Sequence, residues 1–538
     1  MSDTQSAAGS GVSSPWKNGF FLLFIGASFV SNVGTWLFAV AAGWLMTDLN
    51  GSGLSVGLVQ TATLLPLVFL AVPGGALGDL INRRKVLLVC QTVLIVVNLV
   101  FAYLVMIDAA SVGLLLLFTF FNGCGAAIAG PLMTAVIPQL VNRQQLSTAM
   151  SINGIAFNAS RAVGPILAGW LITAVSIDLP FWIDGVSFAA VVAAVWFWRD
   201  DRDVRDNVQP RVFQLALMDS MRFVRYTPAL YNSILRGGLF YFGAGALWAL
   251  LPLVAKDQLG GEADIYGYLV GAAGGGAVIS GLVYDRVNAL AGGSNRLTVG
   301  SSILMGVSLI GLGLSDTVTL GLVAAGVAGA CWQLCFTSLI TSTQYALPKW
   351  FGGRGMAYFF MSMGVSLAVG SALWGWLADL TSLPISHFAA AGTCILLAPL
   401  ALRYPLDQAR DADLDAFTRY PQFDVDLPEE SDPGGLLLVR NTYDVPEQYR
   451  AEAVKRLMRL RNSRYRSGAV RWHLFRPVDA ACEHELYEYY SEVLWTVTER
   501  HDQRITKEDE KKLHAFSDWL KEVGGSCART QFREETAA

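Results

Sequence analysis

The stretch Gly75-Ala-Leu-Gly-Asp79-Leu-Ile-Asn-Arg83-Arg84-Lys85 is a short charged hinge between two long apolar runs. Its spacing returns at Gly281-Leu-Val-Tyr-Asp285-Arg286, again at the end of an apolar run and 206 residues after Gly75. A second match falls at the same offset. Val163-Gly164-Pro165-Ile-Leu167-Ala-Gly169-Trp170-Leu171 aligns with Val369-Gly370-Ser371-Ala-Leu373-Trp-Gly375-Trp376-Leu377. Two matches at one offset indicate an internal repeat. The chain therefore reads as two fused halves.

The runs around these motifs are long enough for lipid. Crossing about 30 Å of hydrocarbon takes about 20 apolar residues as a helix. Such runs occur at 19–47, 54–78, 86–107, 111–138, 149–175 and 180–198, and again at 229–255, 265–284, 297–315, 318–346, 355–378 and 383–402. None alternates as a barrel strand does, and backbone in a bilayer must satisfy its own hydrogen bonds, so all twelve are expected to be helices. The bulk numbers agree, with 53% apolar residues, 15% charged and a mean hydropathy of +0.43. Residues 1–18 are polar and lack the pattern of a signal peptide, so the first run is expected to stay as a span. The fold class expected is an all-α membrane protein of twelve transmembrane helices arranged as two parallel six-helix repeats, with a small soluble α+β ferredoxin-like domain at the C-terminus.

Loop charge orients the chain. One set of loops carries Arg83, Arg84, Lys85, Arg143, Arg199, Arg202, Arg205, Arg211, Arg222, Arg225, Arg286, Arg296, Lys349 and Arg354, whereas the other carries Lys256 alone beside Asp48, Asp108, Asp178, Asp257, Glu262, Asp264, Asp316 and Asp379. Basic residues stay on the cytoplasmic side. Both termini are therefore expected in the cytoplasm of a multi-pass inner-membrane protein. The net charge of -4 carries little information, because the acidic excess sits mainly in one late linker. The seven cysteines form no metal-ligand pattern, and five of them (Cys90, Cys124, Cys331, Cys335 and Cys394) lie inside apolar runs as small packing residues. No cofactor, metal or nucleic-acid partner is expected; the partners are the bilayer, a small-molecule substrate and protons.

The segments expected are a tail at 1–18, a first half at 19–198, a cytosolic linker at 199–228, a second half at 229–404, an acidic linker at 405–435 and a domain at 436–538. Within the first linker Phe213, Leu217, Met221 and Val224 recur at helical spacing, as on an amphipathic helix at the inner surface or a tether under the bundle. Between 407 and 432 nine acids face two arginines, with prolines and then Gly434 and Gly435. From Leu436 the pattern becomes strand, helix, strand, strand, helix. Pro446 opens the first helix and Gly468 closes it; alternation buries Val470, Trp472 and Leu474; a strand covers 484–495; Thr506 caps the last helix; and a short strand near 528–532 completes the sheet.

Several intramembrane residues are candidates for chemistry. Arg161 lies about 18 Å into its span, where a charge is costly and marks a pathway or a buried partner. It is either an anion anchor or one member of a buried pair. Arg236 is shallower, a pathway residue or a structural one. Asp184 is the best protonatable coupling group, or else a solvated lip residue. Asn32, Asn122, Asn158 and Gln333 complete a polar pathway suited to a bulky amphipathic solute, although each taken singly suits helix packing. No Gly-x-x-x-x-Gly-Lys-Ser/Thr phosphate loop occurs, so an ion gradient is expected to supply the energy.

These motifs resemble a known family. Gly75-x-Leu77-Gly78-Asp79-x-x-x-Arg83-Arg84 resembles the loop between the second and third spans of the major facilitator superfamily, departing from it at Leu80 and Asn82. The resemblance implies a conformational gate made of Gly75, Asp79, Arg83 and Arg84 with Gly281, Asp285 and Arg286. Gly164-Pro165-x-x-x-Gly169 resembles the superfamily's export motif. Ser31-Asn-Val-Gly34-Thr-Trp36, Arg236-Gly-Gly-Leu-Phe240 and Ala246-Leu-Trp248 resemble the enterobactin-exporter-like, transmembrane secretion effector subgroup, implying a proton-coupled exporter of a siderophore or drug. In the tail, Gly468-Ala-Val-Arg-Trp472 and Glu499-Arg-His501-Asp-Gln-Arg504-Ile-Thr506 resemble antibiotic-biosynthesis-monooxygenase-like dimeric α/β barrels. That likeness leaves two readings beside transport: an enzymatic tail using Trp472, His473, His501 or Arg504, or a non-catalytic module that forms a homodimer.

Overall fold

A computed structural model describes residues 18–80, 82–142, 145–198, 210–348, 351–406, 412–414, 435–477, 485–493 and 505–533. Among the described residues, twelve helices are long and apolar enough to cross a membrane. The first half contributes α1 (Gly19–Leu49), α2 (Gly53–Leu80), α3 (Arg83–Met106), α4 (Val112–Leu140), α5 (Leu146–Ala174) and α6 (Leu179–Phe197). After α7 (Pro210–Tyr226) the second half supplies α8 (Pro228–Leu253), α9 (Ala263–Leu282), the short α10 (Tyr284–Ala291), α11 (Ser294–Gly313), α12 (Val318–Tyr345), α13 (Gly352–Leu380) and a last span made of α14 (Leu383–Ile395) and α15 (Leu397–Arg403). Helix ends fall where capping chemistry puts them. Asn18 accepts from the amides of Phe20 and Phe21, Asn82 from Lys85, Ser111 from Leu114 and Ser382 from Ile385.

The chain forms two compact units: 1–204 with 235–339 and 357–404, and 205–234 with 340–356 and 405–538. In the first unit small residues let helices meet backbone to backbone. A Cβ on Gly169 would lie 2.7 Å from the Ala263 carbonyl, and one on Gly267 would lie 2.7 Å from the Pro165 carbonyl, so α5 and α9 share a glycine seam. The α2–α13 seam is built the same way, with a Cβ on Gly375 meeting the Gly53 carbonyl at 2.1 Å. The repeated motif is not repeated in shape. Gly75 and Asp79 lie within the continuous α2, whereas Asp285 stands beyond a break at Val283 on the separate α10. The side chains of Gly75 and Asp79 lie outside the described residues, as do the opening of the first linker, most of the acidic linker, and His501 and Arg504.

The second unit is built around α7. Phe223 stacks near Phe351 at 4.5 Å in a cluster with Ala229, Leu230 and Ala346. Asp219 and Ser220 are buried on the same side, and Met218 and Met221 are exposed. Of the expected stripe, Val224 packs on that cluster and Met221 is exposed, while the side chains of Phe213 and Leu217 lie outside the described residues. The small domain comprises β1 (Leu436–Asp444), α16 (Arg450–Ser467), β2 (Ala469–Phe475), β3 (Glu485–Val493), α17 (Lys507–Glu522) and β4 (Ser526–Arg533). Its antiparallel sheet runs β2-β3-β1-β4, the order of a ferredoxin-like split βαβ unit. Gly468 ends α16 at φ 127°, where a side chain would be strained, and Thr506 caps α17. Pro446 precedes a single 3-10 turn (Glu447–Tyr449) and not the α-helix itself. Val470 is corrected as well: a register shift between Ala469 and Arg471 turns Ala469 inward and leaves Val470 38% exposed.

Candidate functional site

Arg161, from α5, projects into a cluster built by both halves. Its guanidinium carbon lies 5.8 Å from the Trp36 ring of α1 and 5.6 Å from the Trp248 ring of α8. Trp248 meets Trp332 of α12 edge-on at 5.7 Å, and Trp332 meets Tyr241 of α8 at 5.0 Å. Arg161 is 9% exposed, and its Nε has no hydrogen-bond partner. Among the described residues no carboxylate pairs with it. The Tyr241 hydroxyl is likewise buried and without a partner. Two indole faces stabilise a desolvated guanidinium by about 2 kcal/mol each without cancelling its charge. The charge is thus oriented but not neutralised, which suits an anionic or electron-rich ring on a solute.

The other polar candidates separate into those used up and those with capacity left. Asn122 and Asn98 exchange amide hydrogen bonds at 2.9 and 3.0 Å, and each amide also donates to its own helix, so the pair clamps α3 to α4. Arg236 donates to Asn295 and, at 3.5 Å, to the Tyr404 carbonyl, tying α8 to α11 and the end of α15. Asn158 donates to the Gly154 carbonyl of its own helix. Gln333 donates to Thr337 at 3.1 Å and lies against Gly281. Asn32 is half-buried on α1. Gly164 is fixed by proximity, since a Cβ there would lie 2.6 Å from Cβ of Trp36 and would push that indole from Arg161.

Asp184 is 1% exposed, so the solvated-lip alternative is incorrect. The carboxyl is sealed in the α1–α6 seam because Gly34 opposite it has no side chain: a Cβ there would lie 2.9 Å from Oδ1. Neither carboxyl oxygen has a hydrogen-bond partner. Burying an unpaired carboxylate is among the costliest acts in a fold.

One end of the bundle is closed across the halves. Asp379 of α13 accepts from the first amides of α2, Gly53 at 2.5 Å and Leu54 at 2.9 Å. Lys256 donates to Asp48 at 2.7 Å and to the Thr47 carbonyl at 3.0 Å, and sits over Trp44. Deeper along the same seam, Thr61 donates to the Ala368 carbonyl at 2.7 Å. At the opposite end the described charged gate residues are Arg83, Arg84, Asp285 and Arg286. Arg84 caps its own half, donating to the Val195 and Trp196 carbonyls at the end of α6. Asp285 and Arg286 are exposed and have no partner among the described residues. Arg83, the preceding residue in α3, is half-buried.

In the small domain, Glu488 is the buried hub that sequence patterning missed. It accepts from Asn441 at 2.6 Å, Tyr443 at 2.7 Å, Trp472 at 2.8 Å and twice from Arg464, at 3.1 and 3.3 Å. Burial would push this carboxyl up, but Arg464 and the neutral donors outweigh it and hold it at about 2. Trp472 is a structural donor in this network, and His473 is exposed on the other face of the sheet. The signal was available only as a glutamate at an inward-facing position of a strand.

Comparison with known proteins agrees with this geometry. Residues 10–523 match the family described as transmembrane secretion effector. The enterobactin exporter EntS of Citrobacter koseri is 25% identical, over 71% of this chain and 91% of its own length. The multidrug efflux pump Tap of Mycolicibacterium fortuitum is 25% identical over 74% and 98%, and the staphyloferrin A transporter of Staphylococcus aureus 20% identical over 66% and 89%. Among solved structures a POT family transporter superposes with a TM-score of 0.61 at 12% identity, covering 72% of this chain and 96% of its own, which establishes the fold. With twelve candidate spans among the described residues and transporters on every side of the comparison, the chain is a multi-pass membrane transporter, and it belongs to the transmembrane secretion effector family of the major facilitator superfamily.

Proposed function

We propose that this transporter is a proton-coupled exporter of a small amphipathic molecule with an anionic or electron-rich group, a siderophore or a drug, working by alternating access. The observation that carries the reading is the unneutralised Arg161 held between Trp36 and Trp248 at the seam of the two halves. Guanidinium offers a forked donor set to carboxylate or phenolate, and the indoles offer faces to a flat apolar body. Export is supported by the names of the relatives and by the Gly164-Pro165-Gly169 segment. Asp184 is the proton carrier in this scheme: sealed and unpartnered here, it would meet water when α1 and α6 shift.

The excess of basic residues in the loops near Arg84 and Asp285 supports placing that end in the cytoplasm of the inner membrane, with both termini inside. On that placement the end closed by Asp379 and Lys256 is the outer one. Asp79, with Arg83 and Arg84, would then engage the Asp285–Arg286 region when the carrier turns outward.

Everted vesicles loaded with the chain test this. Addition of an exported solute is expected to dissipate an imposed proton gradient, and Asp184→Asn is expected to abolish that dissipation while solute binding persists. If the gradient is untouched in the parent protein, proton coupling is wrong; if Arg161→Ala transports normally, so is the anchor.

The small domain favours one further role. The sheet face away from α16 and α17 carries His473, Phe475, Tyr487 and Tyr489 in ring contact and Arg440 over Phe532. An aromatic face of this kind supports homodimerisation of the tail. Sedimentation of the full-length protein as a monomer would remove that role.

A further inference from the structure

Two neighbouring spans of the first half, α3 and α4, leave a groove of about 470 Å³ between them. Within the bundle α3 packs on α4 and α6. Its Val89, Val93, Val96 and Val100 recur at helical spacing as an exposed apolar stripe, the pattern of a face turned to lipid. The groove runs along that stripe. Val89, Val93 and Phe121 stand on its walls, 65%, 52% and 44% exposed, so it is open along its length.

The floor offers a polar solute nothing to bond. The Cys90 thiol donates to the Gly125 carbonyl at 3.7 Å, and apart from the Cys124 thiol and Lys85 the remaining side chains of the lining are hydrocarbon. From Lys85 to Leu94 the groove follows α3 for about 13 Å at 1.5 Å per residue. One leaflet of hydrocarbon is about 15 Å deep, half of the bilayer core. The groove is thus about one leaflet long and lies within the depth that acyl chains occupy. Its charged residue stands at one end. Lys85, in the first turn of α3, is exposed at the mouth, and its ammonium has no ion pair among the described residues. Arg84 beside it differs, since its guanidinium is held by the Val195 and Trp196 carbonyls. An unpaired cation at the rim of an apolar groove, where a span leaves the hydrocarbon, complements a headgroup phosphate.

We propose that this groove holds one acyl chain of an anionic phospholipid, with the phosphate of its headgroup on Lys85. Burial of the chain adds little affinity, because lipid tails are as apolar as the groove walls. The groove fixes the position of the lipid, and the ammonium selects its headgroup by about fivefold over a zwitterionic one. The site is independent of the Arg161 cluster and of the coupling scheme. A lipid seated there extends towards the amino end of α3 the tie that Asn98 and Asn122 make between the same two helices.

The test is native mass spectrometry of the full-length protein in nonionic detergent, titrated with equimolar dioleoyl-phosphatidylglycerol and dioleoyl-phosphatidylcholine. The most tightly held lipid is expected to be phosphatidylglycerol, favoured about fivefold. Lys85→Gln is expected to bring that preference close to one, and Lys85→Arg to keep it. Val89→Trp, which places an indole in the groove, is expected to lower retention of the tightest lipid at least threefold. Both positions are exposed, so the melting temperature of each variant is expected to match the parent. Millimolar glycerol 3-phosphate, the headgroup anion without chains, is expected not to displace the lipid. Equal retention of the two lipids by the parent, or an unchanged preference in Lys85→Gln, would overturn the proposal. So would full retention in Val89→Trp, which would put the lipid elsewhere, or displacement by glycerol 3-phosphate, which would reduce the site to a free anion at Lys85.

Discussion

Arg161 is the side chain on which the proposed solute selectivity rests. Its charge is held between two rings and left without a counter-ion, so a lysine there would keep the charge and lose both the fork and the planar stacking. Arg161→Lys is expected to retain less than a tenth of wild-type efflux in vesicles, and Arg161→Ala no more. Glu488 is the contrasting case, a buried charge with every lone pair engaged. Its folded value is about 2 against an ordinary 4.5. The folded value is depressed, so the carboxylate's contribution is full above about 4.5 and is lost as pH falls towards 2. That contribution is roughly 3 kcal/mol. Acid unfolding of the small domain followed by near-UV circular dichroism is expected to steepen in that window. Glu488→Gln leaves Arg464 buried without its acid and is expected to destabilise the domain by about 3 kcal/mol in urea at pH 7.

At the scale of elements, the closed end depends on backbone contact more than on charge. The Lys256–Asp48 pair is partly exposed, with side chains 35% and 46% accessible, and such pairs contribute about 0–1 kcal/mol. Asp379 on the first turn of α2 adds about 1 kcal/mol. Neither would hold the end shut if the α2–α13 seam could not close, and at Gly375 there is no room for any side chain. Gly375→Val is therefore expected to hold the end open. A cysteine at buried Thr47 should then react with an impermeant maleimide at least fivefold faster than in the parent, whereas Asp379→Asn should raise the rate only about twofold to threefold. Equal rates in all three would show that the seam is not the closure.

For the whole molecule, the proposed alternating-access cycle requires the closed end to open, and the small energies there are compatible with that. Asp48→Lys is expected to lower efflux by weakening closure, and adding Lys256→Asp to restore it, as measured by vesicle transport of both variants. The second unit adds a firm link between small domain and linker. Tyr226 of α7 stacks on Tyr465 of α16 at 4.0 Å, Arg466 donates to the Tyr226 carbonyl at 3.2 Å, and Arg222 donates to the Ala469 carbonyl at 3.3 Å. Tyr465→Ala is expected to loosen that link, visible as faster trypsin cleavage within the unit while the twelve spans stay intact.

Sequence alone determined the twelve spans, the two-half repeat and the βαββαβ order of the tail, because hydrocarbon thickness, backbone hydrogen bonding and strand alternation act locally and leave periodic traces. It also singled out Arg161, since a charge deep in an apolar run is conspicuous wherever the helix lies. Tertiary structure alone decided what each polar residue meets. Asn122 is spent on Asn98, Arg84 on the end of α6 in its own half, and Arg236 on Asn295, whereas Arg161 Nε and both carboxyl oxygens of Asp184 are left without a hydrogen-bond partner. No local pattern could separate these cases, because a partner's distance depends on how helices far apart in the chain are brought together. The same holds for Lys85 and Ile128, which lie on different helices and line one groove.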